Sequence, residues 1–348
     1  MRPIVLDMDS LEFKHFVITR FGLGQAKEDF YQLNIEYLEN LLAVSLRNQT
    51  NRNFYWIVLI DVRAPKWVFT RLNYIIRGIL DVEIVKHDPF KSLSIMPDIS
   101  ELISKRGVSL GEYIIVTRVD SDDALSVNYI DNVSVCLTER LSVHGRVPVS
   151  INPVNGVYYY PEQAKFFEVF KNNYSVQTIG GRFCREFVHP YSGSHKEFSI
   201  HFRRKGWQAV ILNTPEPLWL RSMRKDSNVH ESSLPPKIDC WFYLGARVKY
   251  AVLRALGRRG SFFIKSKGNA EKVLQCFSFN KYSQNRLLFV ERSMCIKDDS
   301  PSSRESLRRW QYKQAILDLY ISSFEDDSLA DTESKKYRRD LISQFYAR

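Results

Sequence analysis

An apolar, β-branched run that ends abruptly in carboxylates constrains the fold of this chain more than any other stretch. Residues 113–117 read Tyr-Ile-Ile-Val-Thr, and Asp120, Asp122 and Asp123 follow shortly after. Such a run is typical of a buried strand in a parallel sheet. Because ligands of open α/β sheets bind beyond the carboxyl ends of their strands, we expect these three acids at a binding site.

Carboxylates that lie close together repel one another, and a cation between them offsets that cost. Their hard oxygen atoms suit Mg²⁺ or Mn²⁺, which also bind phosphate oxygens. We therefore interpret Asp120, Asp122 and Asp123 as holding a metal–diphosphate, with the diphosphate belonging to a nucleotide-sugar. A second interpretation stays open, because Ser121 and the two following acids are also typical of a solvated turn or a helix N-cap.

The sequence before the acids alternates between strand and helix patterns. Strand-like runs at 16–19, 54–60 and 82–85 are separated by helical periodicity over 30–44 and again over 65–76. Strand, helix, strand, helix, strand is the order of a parallel, right-handed α/β sheet.

Two polar residues stand where the first two strands end. Arg20 precedes Gly22 and Gly24, and its guanidinium suits a phosphate or a base edge. The glycines would let the backbone approach a nucleotide, or they form an ordinary strand–helix turn. Asp61 ends the second strand, where its carboxylate either binds a base or ribose hydroxyl or faces water.

Three stretches carry a family resemblance, and together they cover the first two-thirds of the chain. They are Val-Ile-Thr-Arg-Phe at 17–21, Gln-Thr followed by Phe-x-Trp and Asp within 49–61, and Thr-Arg-x-Asp-x-Asp-Asp-Ala-Leu at 117–125. In these the chain resembles the rhamnosyltransferase family of GT-A-type glycosyltransferases. The resemblance implies an α/β fold, a GT-A-like three-layer α/β/α sandwich with a mainly parallel central sheet.

The same resemblance implies site residues, position by position. It implies that Asp120, Asp122 and Asp123 bind a divalent cation, Mn or Mg. It implies that the nucleotide-sugar donor is bound by Arg20, Asp61, Arg118 and Asp120. It also implies a nucleotide-sugar donor and a transfer that inverts the anomeric centre.

The part of the chain after the acids is predicted to bind the acceptor. Strand-like residues 147–153 and 157–160 flank Asn155-Gly156, which is a hairpin signal. An inverting transfer needs a carboxylate to take the proton of the acceptor hydroxyl. Glu197, and after it Glu186, are the candidates in the polar and aromatic stretch 180–201, although either also reads as an exposed loop glutamate.

The segment that begins at Trp219 resembles a Trp-Leu segment of the family, which a histidine and an asparagine usually follow closely. Here Met223-Arg224-Lys225 stands in the expected histidine region, and His230 comes later. His230 is a candidate metal ligand or, in the other interpretation, a surface histidine.

A helical C-terminal extension, 233–348, is predicted to follow a catalytic domain, 1–232, whose donor half is 1–125 and acceptor half 126–232. Residues 241–267 are basic and include no acidic side chain. A basic amphipathic helix there would lie on an anionic membrane surface or dock on the catalytic domain.

These patterns predict a metal-dependent glycosyltransferase that moves a sugar, with rhamnose a candidate, from a nucleoside-diphosphate donor to a glycan or lipid-linked glycan acceptor in surface polysaccharide synthesis. The net charge of +11 also suits a nucleic-acid- or polyanion-binding module without transferase activity. Because the basic excess gathers away from the acids, no nucleic acid is expected.

The location predicted from the sequence is cytoplasmic, peripheral on the inner face of the membrane. Five scattered cysteines fit a reducing compartment better than a disulfide framework. The sequence shows neither a signal-peptide pattern nor an apolar run of the ~20 residues that a membrane-spanning helix needs.

Overall fold

The computed structural model describes the chain in segments, and every structural statement below concerns these residues. They are 13–25, 27–89, 97–144, 148–161, 165–170, 176–184, 187, 190–191, 207–224, 263–265, 275–280, 283–284 and 286–287. Glu186, Glu197 and His230, and nearly all of the predicted extension, lie outside them.

The strands and helices follow the order predicted up to the acids. The strands are β1 (Lys14–Phe21), β2 (Phe54–Asp61), β3 (Asp81–His87), β4 (Tyr113–Arg118), β5 (Asp123–Leu125), β6 (Val149–Pro153), β7 (Asn155–Tyr160), β8 (Lys165–Phe170), β9 (Gln177–Arg182), β10 (Gln208–Leu212), β11 (Trp219–Ser222) and β12 (Phe263–Lys265). The helices are α1 (Glu28–Tyr37), which continues through a π-helical stretch (Leu38–Ala43) into α2 (Val44–Arg47), then α3 (Lys66–Ile75), α4 (Ile99–Lys105) and α5 (Tyr129–His144).

The main sheet has seven strands in the order β10-β6-β9-β4-β1-β2-β3. Strands β4, β1, β2 and β3 are parallel neighbours, and Ile18 of β1 lies opposite both Ile57 and Arg118. Strand β9 is antiparallel to β4 and β6, whereas β6 and β10 are parallel. The sheet is therefore mainly parallel, as predicted.

Helices cover both faces of this sheet because side chains alternate along its strands. On β1, Val17 and Phe21 pack in one cluster with residues of α1, α3 and α5. Phe16 and Ile18 point to the other face, where they pack with residues of α4. All four side chains are fully buried. This arrangement confirms the predicted three-layer α/β/α sandwich. Within the described residues, no helix is both long and apolar enough to cross a bilayer.

A second sheet, in the order β12-β8-β7-β11-β5, lies beside the first. Among the described strands the chain passes into it from the main sheet three times, between β4 and β5, at Val154 between β6 and β7, and between β10 and β11. The hairpin predicted at Asn155-Gly156 is therefore wrong, because both residues are in β7, which pairs with β8 and β11 and not with β6.

Glycine stands at position 156 for a packing reason and not to make a turn. A Cβ there would lie 2.0 Å from the ring of Trp219, which is fully buried on the neighbouring strand β11. The ring therefore occupies the space that a side chain would need.

A chain of buried polar side chains crosses the main sheet. His15 Nε2 lies 2.7 Å from the Thr117 hydroxyl, Thr117 lies 2.7 Å from Thr178, and Thr178 lies 2.7 Å from the Tyr129 hydroxyl. His15 Nδ1 has no hydrogen-bond partner among the described residues. Burial lowers the pKa of His15 from 6.5 to about 3. The imidazole is therefore neutral in the folded protein at neutral pH.

We expect His15 to make folding sensitive to mild acid. In the unfolded chain the imidazole is protonated below its ordinary pKa, whereas in the folded chain it stays neutral down to about pH 3. The stabilisation it allows is complete above pH 6.5 and falls by roughly 1.4 kcal/mol per pH unit below it. Urea unfolding of the wild type and His15→Gln between pH 7.5 and 5.5 measures this. Equal pH slopes for the two proteins would contradict the assignment.

Candidate active site

The carboxyl ends of β1, β2 and β4 meet at one edge of the main sheet, and a glycine-containing turn lies there. Gln25 N–H donates to Gly22 O at 3.0 Å, and Gly22 and Gly24 have φ of +69° and +77°. These angles lie in the left-handed region that glycine tolerates. The Tyr31 hydroxyl of α1 donates to the carbonyls of Gly22 and Gln25 at 3.0 and 2.9 Å. The turn is therefore held by helix α1.

Asp61 holds the same turn from the end of β2. Its fully buried carboxylate accepts from Gly24 N–H at 3.0 Å and from the backbone N–H, Nε and Nη2 of Arg63 at 2.9, 2.8 and 2.6 Å. These bonds show that Asp61 shapes the loop. Direct contact between Asp61 and a nucleotide stays a prediction.

The acids form a tight turn between the two sheets. Asp123 N–H donates to Asp120 O at 3.2 Å, and Val119 N–H donates to Ile18 O at 3.1 Å. The side chains of Asp120 and Asp122 are 31% and 22% exposed, whereas Asp123 is 2% exposed. Asp120 and Asp122 therefore face the solvent, and Asp123 belongs to the packed interior.

Two arginines on one side of the acidic turn share an aromatic ring. The guanidinium of Arg118 lies 4.4 Å from the ring centre of Tyr191, and that of Arg20 lies 5.1 Å from it. Tyr191 is buried, and its hydroxyl donates to Ile18 O at 3.0 Å. Arg118 Nη2 is 3.8 Å from Asp120 Oδ1. The predicted donor-binding residues Arg20, Arg118 and Asp120 are thus brought together around a tyrosine.

Strand β11 supplies the other side of the turn. The Ser222 hydroxyl donates to Asp122 Oδ2 at 3.2 Å, and Arg224 Nη2 is 3.5 Å from the same oxygen. Ser222 N–H donates to Asp123 Oδ1 at 3.2 Å. Arg221 lies directly opposite Asp123 in the antiparallel pairing of β11 with β5. Each of the three acids therefore has an arginine close by.

Burial and neighbouring charges shift the protonation of the inner pair. Burial raises the pKa of Asp123 well above its usual range, and the Asp122 and Asp120 carboxylates raise it further, while Arg221 and the N–H of Ser222 oppose them. Burial alone would lower the pKa of Arg221, but the carboxylates, Asp123 first, raise it overall. Arg221 is therefore a compensating charge for the buried Asp123.

The Gln-Thr motif fastens the segment that follows the acids. Gln49 Nε2 donates to Ser45 O at 3.0 Å and to Ser126 O at 2.7 Å, and Gln49 Oε1 accepts from Ile130 N–H at 3.3 Å. Thr50 N–H donates to Val127 O at 2.8 Å. These bonds join the end of α2 to the start of α5 and hold the segment that directly follows β5.

The carboxylate oxygens of the acidic turn suit a cation that also binds phosphate oxygens. Among the described residues no group of three or more His, Cys, Asp or Glu side chains is arranged to hold a metal ion. Mg²⁺ and similar ions, however, are commonly held by one or two carboxylates together with substrate phosphates and waters. Asp120 and Asp122 supply two such partly exposed carboxylates, so a metal–diphosphate fits here better than a bare ion.

Sequence reasoning missed three residues of this site, Tyr191, Arg221 and Arg224. The signals were present in part, because Tyr191 lies in the polar and aromatic stretch 180–201 and the arginines lie in the atypical Trp-Leu segment. Their contacts with the acids depend on chain pairings that no local pattern reveals. The predicted roles of Glu197, Glu186 and His230 fall outside the described residues and stay predictions.

The sequence profile of the family described as "Putative rhamnosyl transferase" matches residues 25–208, more than half of the chain. The chain belongs to this family. It is a glycosyltransferase with a three-layer α/β/α fold. The match runs through the Gln-Thr motif and the acidic turn, and Gln49 of the motif donates to Ser126 O, three positions after Asp123.

Solved structures with low sequence identity also resemble the chain. S. aureus TarS 1-349 in complex with UDP-GlcNAc is 15% identical with a TM-score of 0.34, and the match covers 84% of this chain and 78% of that one. A second S. aureus TarS structure is 13% identical with a TM-score of 0.34, covering 78% and 44%. Among curated proteins, no sequence matches the chain. The family assignment therefore rests on the profile match.

We expect the Gln49 tether to contribute to the stability of this rhamnosyltransferase-family fold. Gln49→Leu would remove the side-chain hydrogen bonds to Ser45 O, Ser126 O and Ile130 N–H. Because Ser126 O keeps the Tyr129 N–H as a donor, the expected cost is roughly 1 to 3 kcal/mol of unfolding free energy. The adjacent Asn48 is exposed and donates only to Val44 O within its own helix, so Asn48→Ala is the matched control and should stay within roughly 0.5 kcal/mol. Denaturant unfolding compares the two. Equal losses would show that the tether adds nothing.

Proposed function

We propose that this glycosyltransferase binds a nucleoside-diphosphate sugar at the acidic turn, together with Mn²⁺ or Mg²⁺, and transfers the sugar to a glycan or lipid-linked glycan acceptor. The proposal rests on one observation. Two partly exposed carboxylates, those of Asp120 and Asp122, lie at the carboxyl edge of the sheet close to several arginines. Four arginines against three carboxylates leave positive charge for a diphosphate.

Each arginine is held in place before a donor arrives. Tyr191 lies beneath Arg20 and Arg118, and the pairing of β5 with β11 places Arg221 against Asp123. Cations fixed in this way stabilise the charge that develops on a departing diphosphate without first having to reorganise. A bound divalent cation would add Lewis-acid stabilisation of the same leaving group.

The proposed acceptor side completes the reaction. Glu197, or in its place Glu186, would take the proton of the acceptor hydroxyl as the new glycosidic bond forms, and the transfer would invert the anomeric centre. Rhamnose as the sugar follows the family name, and surface polysaccharide as the product is part of the proposal.

The proposal also includes the arrangement of the whole chain. Residues 1–232 would form the catalytic domain, with the donor in 1–125 and the acceptor in 126–232, and 233–348 a helical extension. The basic stretch 241–267 would bring the enzyme to an anionic membrane on the cytoplasmic side, where lipid-linked acceptors are found. The absence of acidic residues from that stretch supports this placement.

A panel of UDP, GDP, CDP and dTDP, each with and without Mn²⁺, tests the donor site by thermal unfolding. We expect one nucleotide to raise Tm by roughly 5 to 10 °C at a hundred times its Kd, and only when metal is present. Asp122→Asn should abolish this shift, because it removes one carboxylate from the cation.

Asp81→Asn is the matched control, since Asp81 is an exposed aspartate at the start of β3, the amino end of that strand. It should keep the full Tm shift. A full shift in Asp122→Asn, or no shift with any nucleotide in the wild type, would count against the proposed site. Retention on a polyanion column at physiological salt with no nucleotide effect would support the binding-module alternative.

A further inference from the structure

Arg224, two residues after β11, lies between helix α1 and the acidic turn and contacts both. Its Nη1 donates to Asn34 Oδ1 at 3.1 Å, and its guanidinium lies 4.7 Å from the ring centre of Tyr37. Both α1 residues are buried, and Asn34 Nδ2 donates in turn to Phe30 O at 2.7 Å. Arg224 itself is only 7% exposed. Its contacts with α1 therefore hold Arg224 in position independently of Asp122.

The contact of Arg224 with Asp122 is looser than its contacts with α1. Its Nη2 is 3.5 Å from Asp122 Oδ2, longer than the roughly 2.7 to 2.9 Å of a charge-assisted hydrogen bond. The Ser222 hydroxyl donates to the same oxygen at 3.2 Å, and Asp122 is 22% exposed. The carboxylate thus keeps a solvent-facing side while the guanidinium neutralises it from the interior.

A divalent cation and this guanidinium would act on the same carboxylate. An ion bound by Asp122 would lie within a few ångströms of Arg224, and like charges at that separation repel each other. The phosphates that accompany the ion reverse this repulsion, because they bring negative charge to both cations.

We propose that Arg224 is the resident cation of the acidic turn: from one fixed position it neutralises Asp122 while the site is empty, and its charge becomes available to the donor's diphosphate once a divalent cation takes Asp122. The arginine thereby couples the two ligands, because a cation that arrives without phosphates meets its uncompensated positive charge. This inference rests on the proposed function and assigns a donor-binding role to a residue that sequence reasoning left without one.

The proposal predicts opposite effects of one substitution on two ligands. In Arg224→Ala, Mn²⁺ alone should bind roughly fivefold or more tightly than in the wild type, because the competing charge is gone. Inorganic pyrophosphate in the presence of Mn²⁺ should bind roughly tenfold or more weakly, because a charge-assisted contact is lost. Manganese EPR titration measures the first constant and calorimetry the second.

Three further variants make the result specific. Arg224→Lys keeps the charge and should hold Mn²⁺ affinity within about twofold of the wild type. In an Asp122→Asn background, Arg224→Ala should no longer change Mn²⁺ affinity, since the shared carboxylate is absent. Arg71→Ala is the control. Arg71 of α3 forms an ion pair with Glu39 of the π-helical stretch, and its removal should change neither constant.

A merely structural Arg224 would give a different pattern. Unchanged or weakened Mn²⁺ binding in Arg224→Ala, or undetectable Mn²⁺ binding in that variant, overturns the proposal, as does unchanged binding of Mn²⁺ with pyrophosphate. Circular dichroism confirms that each variant is folded. If Mn²⁺ and pyrophosphate respond as expected but no nucleotide stabilises the wild type, the proposed function is wrong. The role of Arg224 as a competing cation at Asp122 is then still supported.

Discussion

The pairing of β5 with β11 is the constraint on which the site depends. Asp123 lies opposite Arg221 in this pairing and accepts a hydrogen bond from Ser222 N–H at 3.2 Å. The pairing carries the chain out of the main sheet directly after the acidic turn and into the second sheet. Because Asp123 is buried in this junction, the turn must leave Asp120 and Asp122 on its solvent side.

Arginines change the electrostatic argument that the sequence suggested. Repulsion among three close carboxylates seemed to require an external cation, but the described residues already place Arg118, Arg221 and Arg224 beside them. Compensation within the fold allows the turn to form before any ligand binds. The proposed divalent cation would then arrive with the phosphates and would not be needed to hold the folded turn together.

The sequence predicted the main sheet well because its strands and helices are local patterns with clear periods. The run from β1 through β4 and the carboxyl-edge positions of Arg20, Asp61 and Arg118 follow from that order. The second sheet was not predictable in the same way. Asn155-Gly156 has the composition of a turn, yet the glycine serves a strand that packs against the Trp219 ring, far along the chain.

The same limit explains why β11 was missed as part of the site. Ser222 and Asp123 are 99 positions apart in the sequence, and Arg224 and Asn34 are 190 apart. A motif search sees Arg224 only as a departure from a histidine expected nearby. The fold shows instead that the same side chain connects helix α1, and through Tyr31 the glycine turn, with the acidic turn.

Helix α1 therefore links the two halves of the candidate donor site. Its Tyr31 fixes the turn at Gly22, and its Asn34 and Tyr37 fix Arg224 beside Asp122. Tyr31 and Asn34, like Asn34 and Tyr37, are three positions apart and therefore neighbours on the helix surface, so a single rigid element sets the distance between the turn after β1 and the turn after β4. Because a diphosphate must reach across that distance, the packing of α1 against both sheets decides how well the site is preorganised.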